Sequence, residues 1–160
     1  MLLRRTLIDA GLSTYKAKNH YQRMRPFATF KESTCAPKED VTLAKDGAYP
    51  SGHAALGWAW ALVLAEVSPE RADAVLLRGH AFGQSRVICG AHWQSDVNAG
   101  RLVGSAAVAK QHTNATFRAQ LAAAKLEVAQ AREKLAKVAA DPAQVELCTA
   151  EVKAMASERK

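Results

Sequence analysis

The chemistry-bearing residues of this chain fall in three short stretches. The stretch Ser85-Arg86-Val87-Ile88-Cys89-Gly90-Ala91-His92-Trp93-Gln94-Ser95-Asp96 sets a cation, an imidazole and a carboxylate close together. If the segment after Gly90 is helical, His92 and Asp96 stand at i and i+4 on one face, where side chains meet. An imidazole oriented by a carboxylate has a fixed tautomer and a more basic free nitrogen, which suits a nucleophile or a general base. Arg86, just upstream, points to an anionic substrate. The second stretch is Pro50-Ser51-Gly52-His53. Ser51 is a good N-cap, Gly52 lets a ligand approach the backbone, and the free N–H groups of a helix start attract an anion. His53 would sit beside that anion, although such a histidine standing alone reads more readily as a capping or satisfied core residue. The third stretch carries Lys18 and Arg25, seven residues apart and hence on one face of a helix.

These residues need elements to position them. Residues 2–25 read as one helix that Pro26 ends, because the residue before proline is pushed out of the α region. His20 and Arg23 point away from Lys18 and Arg25 and read as surface residues. Residues 27–49 are loop-like, with Asp46-Gly47 as a turn signal, and so long a connection often walls an active site. Residues 54–65 then run without a polar side chain and include Trp58 and Trp60. That run is too short to cross a bilayer, and apolar residues all round predict a buried central helix over about 53–66. Ser68-Pro69-Glu70 opens the next helix, with Ala74, Leu77 and Ala81 lining one face and His80 exposed. A helix follows His92 to about residue 110, with Gly100, Gly104 and Ala107 as a thin edge for close contact. Leu121, Ala124, Val128, Ala131, Leu135 and Val138 form a heptad seam. Asp141-Pro142 restarts a second helix through Val145, Cys148, Val152 and Met155, which predicts a C-terminal helical hairpin.

Composition sets the bounds. A chain of 160 residues, 49% hydrophobic and 23% charged, fits one globular domain with a real core. Only 6% is aromatic, which with abundant alanine favours an all-α helical bundle. The net charge of +7 favours anionic partners without separating nucleic acid, membrane surface and phosphorylated metabolites. Cys35, Cys89 and Cys148 form no CxxC pair, so a zinc site is not expected. One disulfide with one free thiol and three buried thiols both remain open. The first residues lack the apolar stretch of a signal peptide, consistent with a mature, shortened or non-exported chain.

Lys18-x6-Arg25-Pro26, Pro50-Ser51-Gly52-His53 and Ser85-Arg86-x5-His92-x3-Asp96, in this order, resemble the signature of the phosphatidic-acid phosphatase type 2 and vanadium haloperoxidase superfamily. The surroundings, Gly47-Ala48-Tyr49-Pro50 and Gly83-Gln84-Ser85 through Asp96, are similar to the bacterial class A non-specific acid phosphatases over residues 9–134. That resemblance implies a single acid phosphatase domain over residues 1–160 that lacks N-terminal helices present in relatives. It implies hydrolysis of phosphate monoesters through a phosphohistidine: His92 as nucleophile, Asp96 as its orienter and His53 as acid and base. Lys18, Arg25, Ser51, Gly52 and Arg86 would bind the phosphate. No metal or cofactor is implied. Small phosphorylated substrates, with inorganic phosphate or vanadate as ligands, are the expected partners, and nucleic acid is not expected as a specific one. No membrane span is expected, whereas a homo-oligomer is. The implied location is periplasmic, which permits a disulfide; Cys35 and Cys89 are the candidates, and Cys148 is read as unpaired. Ala48 stands where many relatives have serine. Two other readings remain: a vanadate-dependent haloperoxidase using the same cage, and a non-catalytic basic helical binding protein.

Overall fold

The computed structural model of the chain describes residues 2–139, with side chains as far as residue 136. The chain divides into two compact units, Met1–Ala122 and Ala123–Lys160. All described regular structure is helical, and no strand occurs among the described residues. In chain order the helices are α1 (Leu2–Leu12), α2 (Tyr15–Tyr21), α3 (Pro26–Phe30), α4 (Asp40–Leu43), α5 (Gly52–Val67), α6 (Ala72–Ile88), α7 (Gln94–His112) and α8 (Ala115–Ala139). The second helix expected after Asp141-Pro142 lies outside the described residues, as does Cys148.

The helix expected over residues 2–25 is interrupted twice. Ser13 and Thr14 turn their hydroxyls back onto the carbonyls of Asp9 and Gly11, at 2.6 and 2.7 Å. Such local bonds compete with helix propagation, and α1 ends there. α2 closes at Gln22, which adopts a left-handed conformation and donates its N–H to the Lys18 carbonyl. Arg25 is extended, and Pro26 occupies the first turn of α3. Proline therefore starts a helix here, because its missing N–H is one a first turn leaves unpaired anyway. The region 27–49 is likewise less loop-like than its composition implies, since it holds α3, a 3-10 turn at Pro37–Glu39 and α4.

α5 is apolar on every side, and it packs against α1, α6 and α7. Ala54, Ala55, Ala59 and Val63 are fully buried, while Trp58 and Trp60 are half-buried. Each indole finds an acceptor: Trp58 donates to Ser105 Oγ on α7 and Trp60 to the Leu3 carbonyl on α1. Those bonds satisfy the polar end of a large apolar ring and fix the rotation of α5. The thin edge of α7 does what its small residues allow. A Cβ on Gly100 would collide with the Ser51 carbonyl, and one on Gly104 with the Ala55 carbonyl. The face of α6 that Ala74, Leu77 and Ala81 line is not the packed one. Ala74, Leu77 and Ala81 are exposed, Leu77 at 71%. Gly79 and Gly83 face α5 instead, where a Cβ on Gly79 would strike Ala61. Glycine carries no hydrophobicity, so periodicity alone picked the stripe of larger apolar residues.

A disulfide joins Cys35 to Cys89, with Cα atoms 5.1 Å apart and a sequence separation of 54. It ties the 27–49 region to the end of α6. Closing such a loop contributes about 4 kcal/mol in the chain-entropy description. No described helix is long and apolar enough to cross a membrane.

Candidate active site

The three motifs converge at the N-terminal end of α5. Ser51 caps the helix, its hydroxyl accepting the Ala54 N–H at 3.3 Å. The Ser51 N–H in turn donates to the Asp96 carbonyl at 2.9 Å, which registers the start of α7 against the start of α5. The neighbouring peptide Tyr49-Pro50 is cis.

His92 does not lie on the helix that follows it. Gly90 takes a positive φ of 66°, a conformation open to glycine. The N–H groups of Ala91 and His92 then both bond the Arg86 carbonyl. Trp93 is the N-cap of α7 and Asp96 its third residue. The Asp96 carboxylate reaches back to the Trp93 N–H at 2.8 Å, as an acidic residue does in a capping box. His92 and Asp96 meet nonetheless, with Nδ1 3.5 Å from Oδ2 and both side chains buried. That separation is longer than a formed hydrogen bond, and the buried Nδ1 has no other partner.

The other ring nitrogen settles the tautomer. Arg25 Nη1 lies 3.0 Å from His92 Nε2. A guanidinium only donates, so Nε2 carries the lone pair and Nδ1 carries the proton that faces Asp96. Burial lowers the His92 pKa to about 4, with nearby Arg25 and Lys18 adding to the effect and Asp96 opposing it. Neutral His92 with an unprotonated Nε2 therefore persists into acid. Asp96 has its carboxyl below the ordinary range. Burial alone would raise it, but His92, the Trp93 N–H and the charge of Arg23 together outweigh that.

Lys18 and Arg25 are also buried, at 4% and 2% exposure. They do not share a helical face as the sevenfold spacing implied, because Arg25 has left the helix; they meet around Asp46. Lys18 Nζ donates to Asp46 Oδ2 at 2.9 Å and to the Gly47 carbonyl. Arg25 spreads its donors over the Leu43, Asp46 and Ala91 carbonyls and reaches the same Asp46 Oδ2 at 3.0 Å. Desolvation lowers the pKa of both cations and Asp46 counters it. Arg86 sits in the last turn of α6, and its buried Nε has no hydrogen-bond partner. His53, in the first turn of α5, is open to solvent on one side and has Phe82 as a ring neighbour. Burial of the rest of its ring and the charge of Arg86 lower its pKa.

Two residues were missed or misread at the sequence level. The sequence marks Asp46 only as part of a turn. Arg23 reads as a surface residue, yet its Nη1 donates to Asp96 Oδ1 at 2.7 Å. His20 is exposed as expected. A run of three cationic positions with a carboxylate twenty or so residues later carries no signal of which charges meet. A cage of buried cations, an unprotonated imidazole nitrogen and a helix N-terminus is suited to a tetrahedral oxyanion and to in-line attack on it.

The chain belongs to the PAP2 superfamily, which it matches over residues 2–118. It is 53% identical over 133 residues to a non-specific acid phosphatase of Providencia stuartii, covering 82% of this chain and 54% of the relative. A non-specific acid phosphatase of Salmonella typhimurium is 51% identical over 125 residues, 78% of this chain and 50% of the relative. An acid phosphatase of Zymomonas mobilis is 43% identical over 131 residues, 82% of this chain and 50% of the relative. The chain thus spans about half the length of these curated relatives.

Proposed function

We propose that this chain carries the active site of a non-specific acid phosphatase that hydrolyses phosphate monoesters through a phosphohistidine. The observation that supports this most is the buried His92 with its lone-pair Nε2 turned to Arg25 and its Nδ1 backed by Asp96. Phosphate would displace Asp46 from Lys18 and Arg25 and take the unpaired donor of Arg86. The Ser51 hydroxyl and the Gly52 N–H at the start of α5 would add donors to its oxygens. His92 Nε2 then attacks phosphorus, forming an N–P bond as the ester P–O bond breaks. The leaving alkoxide takes its proton from His53. Asp96 stabilises the positive ring that results. In the second step His53 accepts a proton from water, the hydroxide attacks phosphorus, and the N–P bond breaks to free His92 and inorganic phosphate.

The acid range follows from the two histidines. With a pKa of about 4, His92 is nucleophilic at mildly acidic pH. His53 is held low by burial and by Arg86, and a bound phosphate dianion would raise it again into the range where it donates a proton. The disulfide fits an oxidising compartment, so the proposed location is the periplasm.

Turnover of p-nitrophenyl phosphate and trapping of the phosphoenzyme under alkaline quench test the reading. His92→Ala is expected to lower turnover by roughly three orders of magnitude or more and to abolish the phosphoenzyme. A His92→Ala protein that still forms a phosphoenzyme overturns the assignment of the nucleophile.

A further inference from the structure

Arg23 lies outside the three motifs, in the extended segment between α2 and α3. Its Nη1 donates to Asp96 Oδ1 and to Ser95 Oγ, each at 2.7 Å. Its guanidinium also stacks over the Trp93 ring, 5.5 Å from the centroid, a favourable cation–π distance. Trp93 answers with its indole N–H, which donates to the Met24 carbonyl at 2.8 Å. Arg25, one residue further, holds the Ala91 carbonyl and His92. Residues 23–25 are therefore fastened, residue by residue, to residues 91–96.

The consequence falls on Asp96. Its side chain is fully buried, and its two oxygens have different partners. Oδ2 takes the Trp93 N–H and faces His92 Nδ1. Oδ1 takes Arg23. A carboxylate with one oxygen fixed by a backbone N–H still pivots unless the other oxygen is held, and a buried anion without a cation is costly. Arg23 meets both needs while keeping its own outer side in solvent at 39% side-chain exposure.

We propose that Arg23 is a positioning residue: it locks the Asp96 carboxylate in the rotamer that presents Oδ2 to His92 Nδ1, and so aims and steadies the Nε2 nucleophile. The kinetic part of this rests on the phosphatase reading; the Arg23–Asp96 coupling does not. The charged groups that act on Asp96 are His92, Arg23 and, further off, Lys18 and Arg25. Lys18 and Arg25 are both engaged by Asp46, so Arg23 is the cation that touches the Asp96 carboxylate directly. Its charge helps keep Asp96 ionised at acid pH, alongside His92 and the Trp93 N–H.

The test compares wild type, Arg23→Met and Arg23→Lys in two measurements: p-nitrophenyl phosphate kinetics across pH, and NMR titration of the Asp96 carboxyl in the ligand-free protein. Arg23→Met is expected to lower kcat about tenfold, the lower end for partners that orient a functional histidine, with KM within about twofold of wild type. The acid limb of its kcat/KM profile and the Asp96 titration both move to higher pH. Arg23→Lys, which keeps the charge, restores most of kcat. An unchanged kcat overturns the proposal, and so does a rise in KM alone, which would make Arg23 a substrate contact. An Asp96 titration that stays in place also overturns it. Should Arg23→Met not fold, Arg23→Gln, which keeps a donor without the charge, carries the same expectations for the acid limb and the titration. A wild-type chain without phosphatase activity removes the phosphatase reading, and the Asp96 titration then decides the Arg23 coupling alone.

Discussion

At the scale of the residue, Asp46 holds the cage together. Lys18 and Arg25 have almost no solvent to hydrate their charges, and one carboxylate oxygen serves both. Asp46 itself is 39% exposed in its side chain, so its loss falls between the values for surface and buried pairs. Asp46→Asn is therefore expected to lower stability by roughly 1–3 kcal/mol. On the proposed reading phosphate or vanadate would supply the missing anion, so either should raise the melting temperature of Asp46→Asn by more than it raises that of wild type. Thermal unfolding with and without the anion checks this, and an equal or smaller shift in the variant would refute it. The motif residues were legible because each type suits an anion and its spacing was intact. Asp46 and Arg23 were not. Their importance comes from which charges meet across loops, and the left-handed turn at Gln22 with the extended Arg25 decides that.

At the scale of the element, the contact between α5 and α7 sets the distance from the N-terminus of α5 to His92. The Ser51 N–H to Asp96 carbonyl bond and the approach of Gly100 to the Ser51 carbonyl belong to the same contact. Gly100→Ala places a methyl group against backbone that has no room to yield. The expected cost is about 1–3 kcal/mol, together with a fall in kcat as His92 and α5 move apart. Gly11, in α1, is the matched control, because a Cβ there meets nothing within 4 Å. Gly11→Ala should be neutral or stabilise by about 0.5–1 kcal/mol through helix propensity. Chemical denaturation of both variants reads the difference, and similar effects at the two sites would refute the close-contact account. The α7 edge was visible in the sequence because small residues at helical spacing have one use there. The α6 face was not, since Gly79 and Gly83 do the packing while Leu77 stands in solvent. The first break in the expected helix was hidden in two hydroxyls, Ser13 and Thr14, whose side chains bond backwards.

At the scale of the molecule, a site built to keep its histidines neutral couples protonation to folding. In the unfolded chain His92 titrates near 6.5, whereas in the fold it titrates at about 4. Above pH 6.5 both states are neutral there and the full stability is present. As pH falls from 6.5 to 4, the unfolded chain gains a proton that the folded chain refuses, so stability declines. Across that window the loss from His92 is about 3 kcal/mol. His53 acts in the same direction. Asp96 adds to the decline at lower pH still, because its depressed pKa contributes stability that disappears as pH falls through the folded value. The urea midpoint of the ligand-free protein is accordingly expected to drop steeply between pH 7 and 4. His92→Asn, which has nothing to titrate at that position, should flatten the slope by the His92 share. Under the proposed function, phosphate would bind the folded state alone, and at saturation it should lift the midpoint throughout the window. A wild-type midpoint indifferent to pH, or one whose slope is unchanged in His92→Asn, would mean that the buried imidazole does not carry the acid sensitivity of the fold.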